Sequence, residues 1–321
     1  MSSAYPRVNG HSISIARQIY YFARLGRPLF LLGGILLHGL GVLAALSTGE
    51  SLDLAVLIWG QIAITAIQIM THYSNDYFDL AADAANSSPT RWSGGSRILP
   101  DGLVNPKIAL ATAVASGLVG LFAAFWLAIV LQAGPLTLPL LFFALVLAWS
   151  YSSPPLQLNM HGFGEITGAI LISGLTPLVG FYMQAGQLEL LPFLVVFPLC
   201  CFQFVMLLVI NFPDAQGDAS AGKHTLLYFL GEKTAVRLYL VILLAAYLSL
   251  PILALLGLPL IAALAILAIS PLAAWQGWRM AKGAWANPAK WDSLGFWSVG
   301  LLIASVLAEL AAFSWILFDS I

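Results

Sequence analysis

Long apolar stretches separated by short polar ones make up most of the chain. Nine reach bilayer-spanning length, near residues 28–47, 54–75, 108–130, 135–151, 164–184, 191–212, 235–256, 259–279 and 294–318. The stretch 235–279 is too long for one crossing, and Gly257-Leu258-Pro259 within it predicts a tight turn. Ahead of the first run the pattern changes: Arg7, Arg17, Arg24 and Arg27 alternate with Ile13, Ile15, Ile19, Tyr20 and Phe22. That mixture predicts either a short helix in the membrane interface or a partly disordered tail. The chain therefore reads as an all-α integral membrane protein, with an N-terminal segment, residues 1–27, and a transmembrane domain, residues 28–321. Its nine transmembrane helices are expected to form one bundle around a central cavity.

Composition removes the competing classes. A length of 321 residues would allow two soluble domains, but 60% hydrophobic residues and a mean hydropathy of +0.91 exclude them. With a net charge of −1 and no basic tract, no nucleic-acid partner is expected. Cys200 and Cys201 are adjacent in an apolar run and read as small core residues, not as a zinc set or a disulfide. No cleavable signal peptide is expected, because the residues before the first run are polar or amphipathic.

Charge distribution sets an orientation. All 13 basic residues fall in alternate connections: four before the first run, then Arg91, Arg97 and Lys107, then Lys223, Lys233 and Arg237, then Arg279, Lys282 and Lys290. The positive-inside rule makes that side, with the N-terminus, cytoplasmic. The opposite connections carry Glu50, Asp53 and Glu189.

Only 8% of the residues are charged, yet Asn75, Asp76, Asp79 and Asp83 crowd the end of the second run. On a helix the three aspartates share one face, with neighbours roughly 5–6 Å apart. Acids beside a bilayer are costly, and unpaired anions this close repel; a hard cation between them removes the repulsion. Mg²⁺ fits, since it takes one or two carboxylates and completes its shell with water and phosphate oxygens. Asn211, Asp214 and Asp218 repeat the pattern at the end of the sixth run, followed by Lys223. Helix-terminal caps exposed to water would be the plain alternative for either cluster alone; two such clusters favour metal ions around a diphosphate.

Other polar residues extend these clusters. Gln61, Thr65, Gln68 and His72 continue one face of the second run towards Asn75 and Asp76 and read together as a pocket lining, although Gln61 alone reads as an interhelical hydrogen bond. Arg91-Trp92-Ser93-Gly94-Gly95-Ser96-Arg97 combines glycines that let a backbone approach a ligand with arginines that fit phosphate. After Tyr151-Ser152-Ser153-Pro154-Pro155 the helix must stop, and the following loop, without Lys or Arg, is expected to pack over something. Gly217 through Lys223 mimics most of a P-loop, but His224 replaces the required Ser or Thr and no strand precedes it. Glu309, within the last run, reads as an interior protonated or hydrogen-bonded group, with an acceptor-pocket role as the alternative.

Asn75-Asp76-x-x-Asp79-x-x-x-Asp83, Asp214-x-x-x-Asp218 and Tyr151-Ser152 together resemble the UbiA superfamily of intramembrane prenyltransferases. Within it, Ser93-Gly94-Gly95-Ser96-Arg97 looks most like the 1,4-dihydroxy-2-naphthoate prenyltransferases of menaquinone synthesis. The resemblance implies that Asn75, Asp79, Asp83, Asp214 and Asp218, with Asp76 close by, hold two or more Mg²⁺ ions against a polyprenyl diphosphate. It also implies that Arg97 and Lys223 contact phosphate oxygens, and that Tyr151 and Ser152 lie near the reacting carbon. Gln68, His72 and Asn211 complete the expected substrate-binding set, although Asn211 breaks the exact repeat by preceding its aspartate by three residues where Asn75 precedes Asp79 by four. The implied partners are the prenyl diphosphate, an aromatic acceptor and the lipid bilayer, in a bacterial inner membrane. Another acceptor, a terpene cyclase, an ion-coupled transporter and a lipid-binding scaffold are the alternatives; acids at the ends of the spans, away from the midplane, argue against transport.

Overall fold

A computed structural model describes residues 14–319. Arg7 and Ile13 lie outside them. The rest of the N-terminal segment is helix α1 (Ile15–Leu25), so the helical expectation holds there. It buries Leu25 and packs Tyr21 and Phe22 on the core while Ile15 and Ile19 stay exposed, the division an interfacial helix needs.

Helices follow one another along the chain: α2 (Pro28–Leu46), α3 (Leu54–Phe78), α4 (Leu80–Ala85), α5 (Pro106–Val130), α6 (Thr137–Ser152), α7 (Gly164–Ala185), α8 (Leu191–Ile210), α9 (Ala215–Ser220), α10 (Leu226–Leu230), α11 (Glu232–Leu255), α12 (Leu260–Ala268), α13 (Ser270–Ala281) and α14 (Trp291–Asp319). Every predicted apolar run is helical. Among the described residues seven of these helices are long and apolar enough to cross a membrane, and α12 with α13, bent by 44°, makes an eighth if counted as one crossing. Pro271 sits at the bend, where it removes a backbone donor and crowds the preceding turn. Helix α6, with 16 residues, falls short of the span expected of it. Gly257 makes the expected turn before α12 with φ +119°. No strand forms among the described residues; an isolated bridge joins His161 to His224.

Two apolar cores hold the bundle. One joins α2, α8 and α11 to α14 through Leu40, Phe202, Tyr239 and Phe313; the other joins α3, α5 and α6 through Ile67, Met70, Leu127 and Leu141. Polar contacts gather at one end. Arg27 pairs with Asp76, Lys223 with Asp79, and the Arg91 amide donates to Asp292 at 3.3 Å. These contacts bring together the four connections that carry the basic residues. At the other end the Asp53 amide donates to Gln184 Oε1 at 2.9 Å.

Candidate active site

The site is built where two long helices run out. Helices α3 and α8 each end in an acidic cluster, and each cluster continues into a six-residue helix, α4 or α9. These short helices cross closely at Gly217, where a Cβ would stand 2.9 Å from the backbone nitrogen and Cα of Asn86. Glycine there lets Asp214 and Asp218 face Asp79 and Asp83.

Each acid has its own surroundings. Asp76 is paired with Arg27 and accepts from the Ser96 hydroxyl. Asp79 is held on both oxygens: Lys223 Nζ lies 2.9 Å from Oδ2, Asn75 Nδ2 3.0 Å from Oδ2, and Asn159 Nδ2 2.9 and 3.0 Å from the two oxygens. Asp214 accepts from Asn86 Nδ2 at 2.6 Å and from the Gly94 amide at 2.9 Å. By contrast, the Oδ2 atoms of Asp83 and Asp218 are buried without a hydrogen-bond partner among the described residues, although Lys223 Nζ stands 3.5 Å from the latter. The last acid of each cluster thus keeps an oxygen available.

Electrostatics follow from this crowding. Burial, then the charges of Asp76 and Asp79, push the Asp83 carboxyl up to about 8. Burial raises Asp218 to about 6, with Lys223 opposing, and also raises Asp214. Burial alone would lower Lys223, but Asp79 and Asp218 outweigh it and hold the ammonium above its ordinary value. Five crowded carboxyl groups, those of Asp76, Asp79, Asp83, Asp214 and Asp218, against Lys223 and Arg27 leave a site that lacks positive charge.

The donor set suits a hard cation. It consists of carboxylate and carboxamide oxygens, and the two unpartnered oxygens on Asp83 and Asp218 are the kind of ligands Mg²⁺ uses. Among the described residues no three acids, imidazoles or thiols converge into a complete cage. A cation there would need oxygens from a substrate or from water to fill its shell.

The loop after α4 closes over both clusters. Gly95 packs against Asp83 so tightly that a Cβ would lie 1.9 Å from Oδ2, and its φ of +68° also favours glycine. The glycines therefore bring the backbone close to the acids themselves. Arg97, at φ +64°, donates to the Asp83 carbonyl and stands 3.8 Å from exposed Asp101, with its side chain about a third exposed. Arg91 is exposed at the loop tip.

Other expected residues divide. Ser152 Oγ accepts from Asn75 Nδ2 at 2.9 Å, so the serine supports the Asp79 network. The Tyr151 hydroxyl lies near Gly164, within electrostatic reach of Lys223 and Asp79. Asn211 turns away from both clusters and donates to buried Glu165 Oε1 at 2.8 Å. The polar row along α3 also splits. Gln61 bonds to His38 and Thr65, each at 2.9 Å, and borders a cavity of about 700 Å³ between α3 and α5. Gln68 Oε1 and His72 Nε2 are buried and unpartnered among the described residues, on the side of Gly34 and Phe30 of α2. Glu309 is fully buried, and neither of its oxygens has a partner among the described residues.

Sequence reasoning missed Arg27, Asn86 and Asn159. In the sequence Arg27 is one of several interfacial arginines, yet a left-handed φ of +49° and the following Pro28 turn it back onto α3. Asn159 comes from the uncharged loop after Pro155, which does pack over the site, as expected.

Comparison with known proteins agrees with this geometry. The sequence pattern of the UbiA prenyltransferase family matches residues 35–300. The 1,4-dihydroxy-2-naphthoate octaprenyltransferase of Bacillus subtilis (strain 168) is 27% identical over 192 residues, which is 57% of this chain and 57% of that protein. The match therefore spans little more than half of the relative's length. In fold, the chain resembles the apo UbiA homolog from Aeropyrum pernix K1, with a TM-score of 0.64 and 19% identity over 90% of this chain and 98% of that one. It also resembles a UbiA homolog from Archaeoglobus fulgidus bound to DMAPP and Mg²⁺, with a TM-score of 0.61 and 16% identity over 91% and 99%. Because the family pattern runs unbroken from within α2 into α14 and takes in both acidic clusters, this chain belongs to the UbiA prenyltransferase family.

Proposed function

We propose that this chain transfers a polyprenyl group from its diphosphate to an aromatic quinone precursor, 1,4-dihydroxy-2-naphthoate, with the site facing the cytoplasm across nine membrane crossings. The observation that carries this reading is the unpartnered pair of oxygens on Asp83 and Asp218, one from each cluster, beside Lys223. The name of the Bacillus relative supports the acceptor, and the Archaeoglobus homolog, bound to DMAPP and Mg²⁺, supports the donor and metal. The basic residues gathered at the acidic end support a cytoplasmic site.

Asp83 and Asp218 would hold Mg²⁺, with Asp79, Asp214 and Asn75 behind them; two or more ions are expected. When bound, the metal neutralises diphosphate oxygens. Lys223, with Arg97 at the rim, adds positive charge where the leaving group gains negative charge as the allylic carbon–oxygen bond breaks. Arg27 holds Asp76 in place. Loop residues 93–97 and Asn159 cover the acids and limit water, which would quench an allylic cation. Tyr151, whose hydroxyl interacts with the charges of Lys223 and Asp79, would stabilise positive charge on its π face. Gln68 and His72 offer unpartnered polar atoms to the acceptor. A ring carbon of the acceptor then bonds to the allylic carbon. The ring recovers aromaticity by releasing what that carbon carried, either a proton or, at a carboxyl-bearing carbon, carbon dioxide.

The test is incubation of the purified protein with Mg²⁺, a polyprenyl diphosphate and a panel of aromatic acceptors, with products identified by mass. A prenylated naphthalene diol is expected. Release of a cyclised hydrocarbon without any acceptor adduct would overturn the transfer reading.

A further inference from the structure

A second cationic site lies away from the aspartates, where α13 meets α14. A cavity of about 270 Å³ opens there, and it is bordered by Trp275, Trp278, Arg279, Lys282, Lys290 and Ser293. Three of these are cations, and no carboxylate is among the lining residues. Arg279 is 9% exposed and is held by neutral groups alone: Nη1 donates to Gln276 Oε1 at 2.8 Å and to the Ser293 carbonyl at 3.4 Å, and Nη2 donates to Ser293 Oγ at 3.0 Å. Its guanidinium stands 4.6 Å from the centre of the Trp275 ring. Lys282 and Lys290 are exposed and form no ion pair among the described residues. The nearest acid in sequence, Asp292, is turned to the Arg91 amide at 3.3 Å. This cluster has no internal anion to balance it.

The surface beside the cavity indicates what kind of anion fits. Leu264 and Leu267 lie one turn apart on α12, and Trp275 and Trp278 one turn apart on α13; they are 52%, 48%, 40% and 58% exposed. An apolar strip leading into a pair of indoles and then into three cations has the polarity of a phospholipid standing upright in one leaflet, with tails on leucine, glycerol at tryptophan and phosphate on arginine and lysine. A free phosphate would use the cations but leave the apolar strip unused. The Arg91–Asp292 contact places this pocket at the same end of the bundle as the aspartate clusters.

We infer that the α13–α14 pocket binds the headgroup of an anionic glycerophospholipid from the surrounding leaflet. Arg279 is the fixed ligand, held in place before the lipid arrives, and Lys282 with Lys290 close on the phosphate from the exposed side. The site is independent of the prenyl-transfer reading and stands whether or not that reading does.

The test titrates the full chain in neutral detergent with phosphatidylglycerol, phosphatidylcholine and inorganic phosphate in separate arms, following bound lipid by native mass spectrometry. Saturable phosphatidylglycerol binding is expected. It should weaken about thirty-fold in the double variant Lys282→Ala, Lys290→Ala, from about 1 kcal/mol for each basic group near an anionic surface. Both lysines are exposed, so the double variant should fold and keep the same thermal unfolding profile in neutral micelles. Trp278→Ala should weaken lipid binding without altering any response to inorganic phosphate. Equal phosphatidylglycerol binding by wild type and double variant, or phosphatidylcholine binding as tight as phosphatidylglycerol, would overturn the inference. Inorganic phosphate displacing the lipid at equal affinity would overturn the lipid as the occupant.

Discussion

Lys223 Nζ stands 2.9 Å from Asp79 Oδ2 and 3.5 Å from Asp218 Oδ2, joining the two acidic clusters through one buried ammonium. All three groups are largely shielded from water, so removing the cation leaves two anions facing each other. Breaking a buried pair of this kind costs about 3–5 kcal/mol. Lys223→Met should therefore lower the unfolding temperature in metal-free buffer. Added Mg²⁺ should recover more stability in the variant than it adds to wild type, because it supplies the charge the lysine had provided. Thermal unfolding with and without Mg²⁺ reads this directly, and an identical Mg²⁺ response in both proteins would mean that the ion binds elsewhere.

The two acids with available oxygens should matter most for metal use. Asp83→Asn and Asp218→Asn keep size and shape but remove the charge a hard cation needs. Each should lower prenyl transfer at least a hundredfold, about 2.7 kcal/mol of barrier, and raise the Mg²⁺ concentration for half-activation. Excess chelator should abolish wild-type transfer. Activity that persists under chelation would remove the metal from the proposal.

Most of the bundle was legible in the sequence because each crossing is a long apolar run, and that signal is local. Both acidic clusters were legible for the same reason: charge is rare in this chain, so grouped acids stand out. What the sequence could not show was which distant side chain meets which acid. Arg27 looked like one of several interfacial arginines until a left-handed turn brought it to Asp76, 49 residues away. Asn159 has no sequence signal beyond lying in an uncharged loop, and nothing local to Asn211 shows that its partner is Glu165, 46 residues earlier. The length of α6 is a further limit, since an apolar run does not say how many of its residues stay helical.

Asn159 and Asn211 give a direct comparison. Asn159 donates to both oxygens of Asp79, and hydrogen bonds to charged groups contribute about 1.5–3 kcal/mol. Asn211 serves Glu165 instead. Asn159→Ala should lower kcat about tenfold or more, whereas Asn211→Ala should leave kcat within about twofold while lowering thermal stability, since it leaves a buried carboxyl without its donor. Steady-state rates for both variants decide the matter, and the reverse ranking would return Asn211 to the substrate site.

Gly95 and Gly222 separate steric crowding from backbone strain. Both have positive φ, +68° and +77°, so alanine carries a similar conformational cost at each. Only at Gly95 would the new methyl strike something, the Asp83 carboxylate at 1.9 Å, while at Gly222 it meets open space. Gly95→Ala should abolish transfer and Mg²⁺ binding, and Gly222→Ala should cost about 1 kcal/mol of stability and keep transfer. Isothermal titration with Mg²⁺ alone measures the difference. Similar Mg²⁺ affinity in the two variants would show that Asp83 can move aside without loss.

Arg97 can serve the reaction in two ways, and kinetics can tell them apart. Its guanidinium donates to the Asp83 carbonyl, which fixes the backbone under a carboxylate with an available oxygen. Its side chain is also about a third exposed, and its other amino nitrogen has only exposed Asp101 at 3.8 Å, a loose pair that an incoming diphosphate can displace. A cation that meets the leaving group stabilises charge present only as the carbon–oxygen bond breaks, so its loss lowers kcat even with every substrate and Mg²⁺ saturating. A backbone clamp acts through Asp83 instead, so its loss raises the Mg²⁺ requirement and is recovered by more Mg²⁺. Arg97→Ala should lower kcat at least tenfold, about 1.4 kcal/mol of barrier, at saturating Mg²⁺ and prenyl diphosphate. Arg97→Lys should regain only part of that rate, because a single ammonium cannot hold the Asp83 carbonyl and a phosphate oxygen in the same geometry. Full recovery of Arg97→Ala at high Mg²⁺ would assign the residue to the clamp and leave Lys223 as the cation on the leaving group.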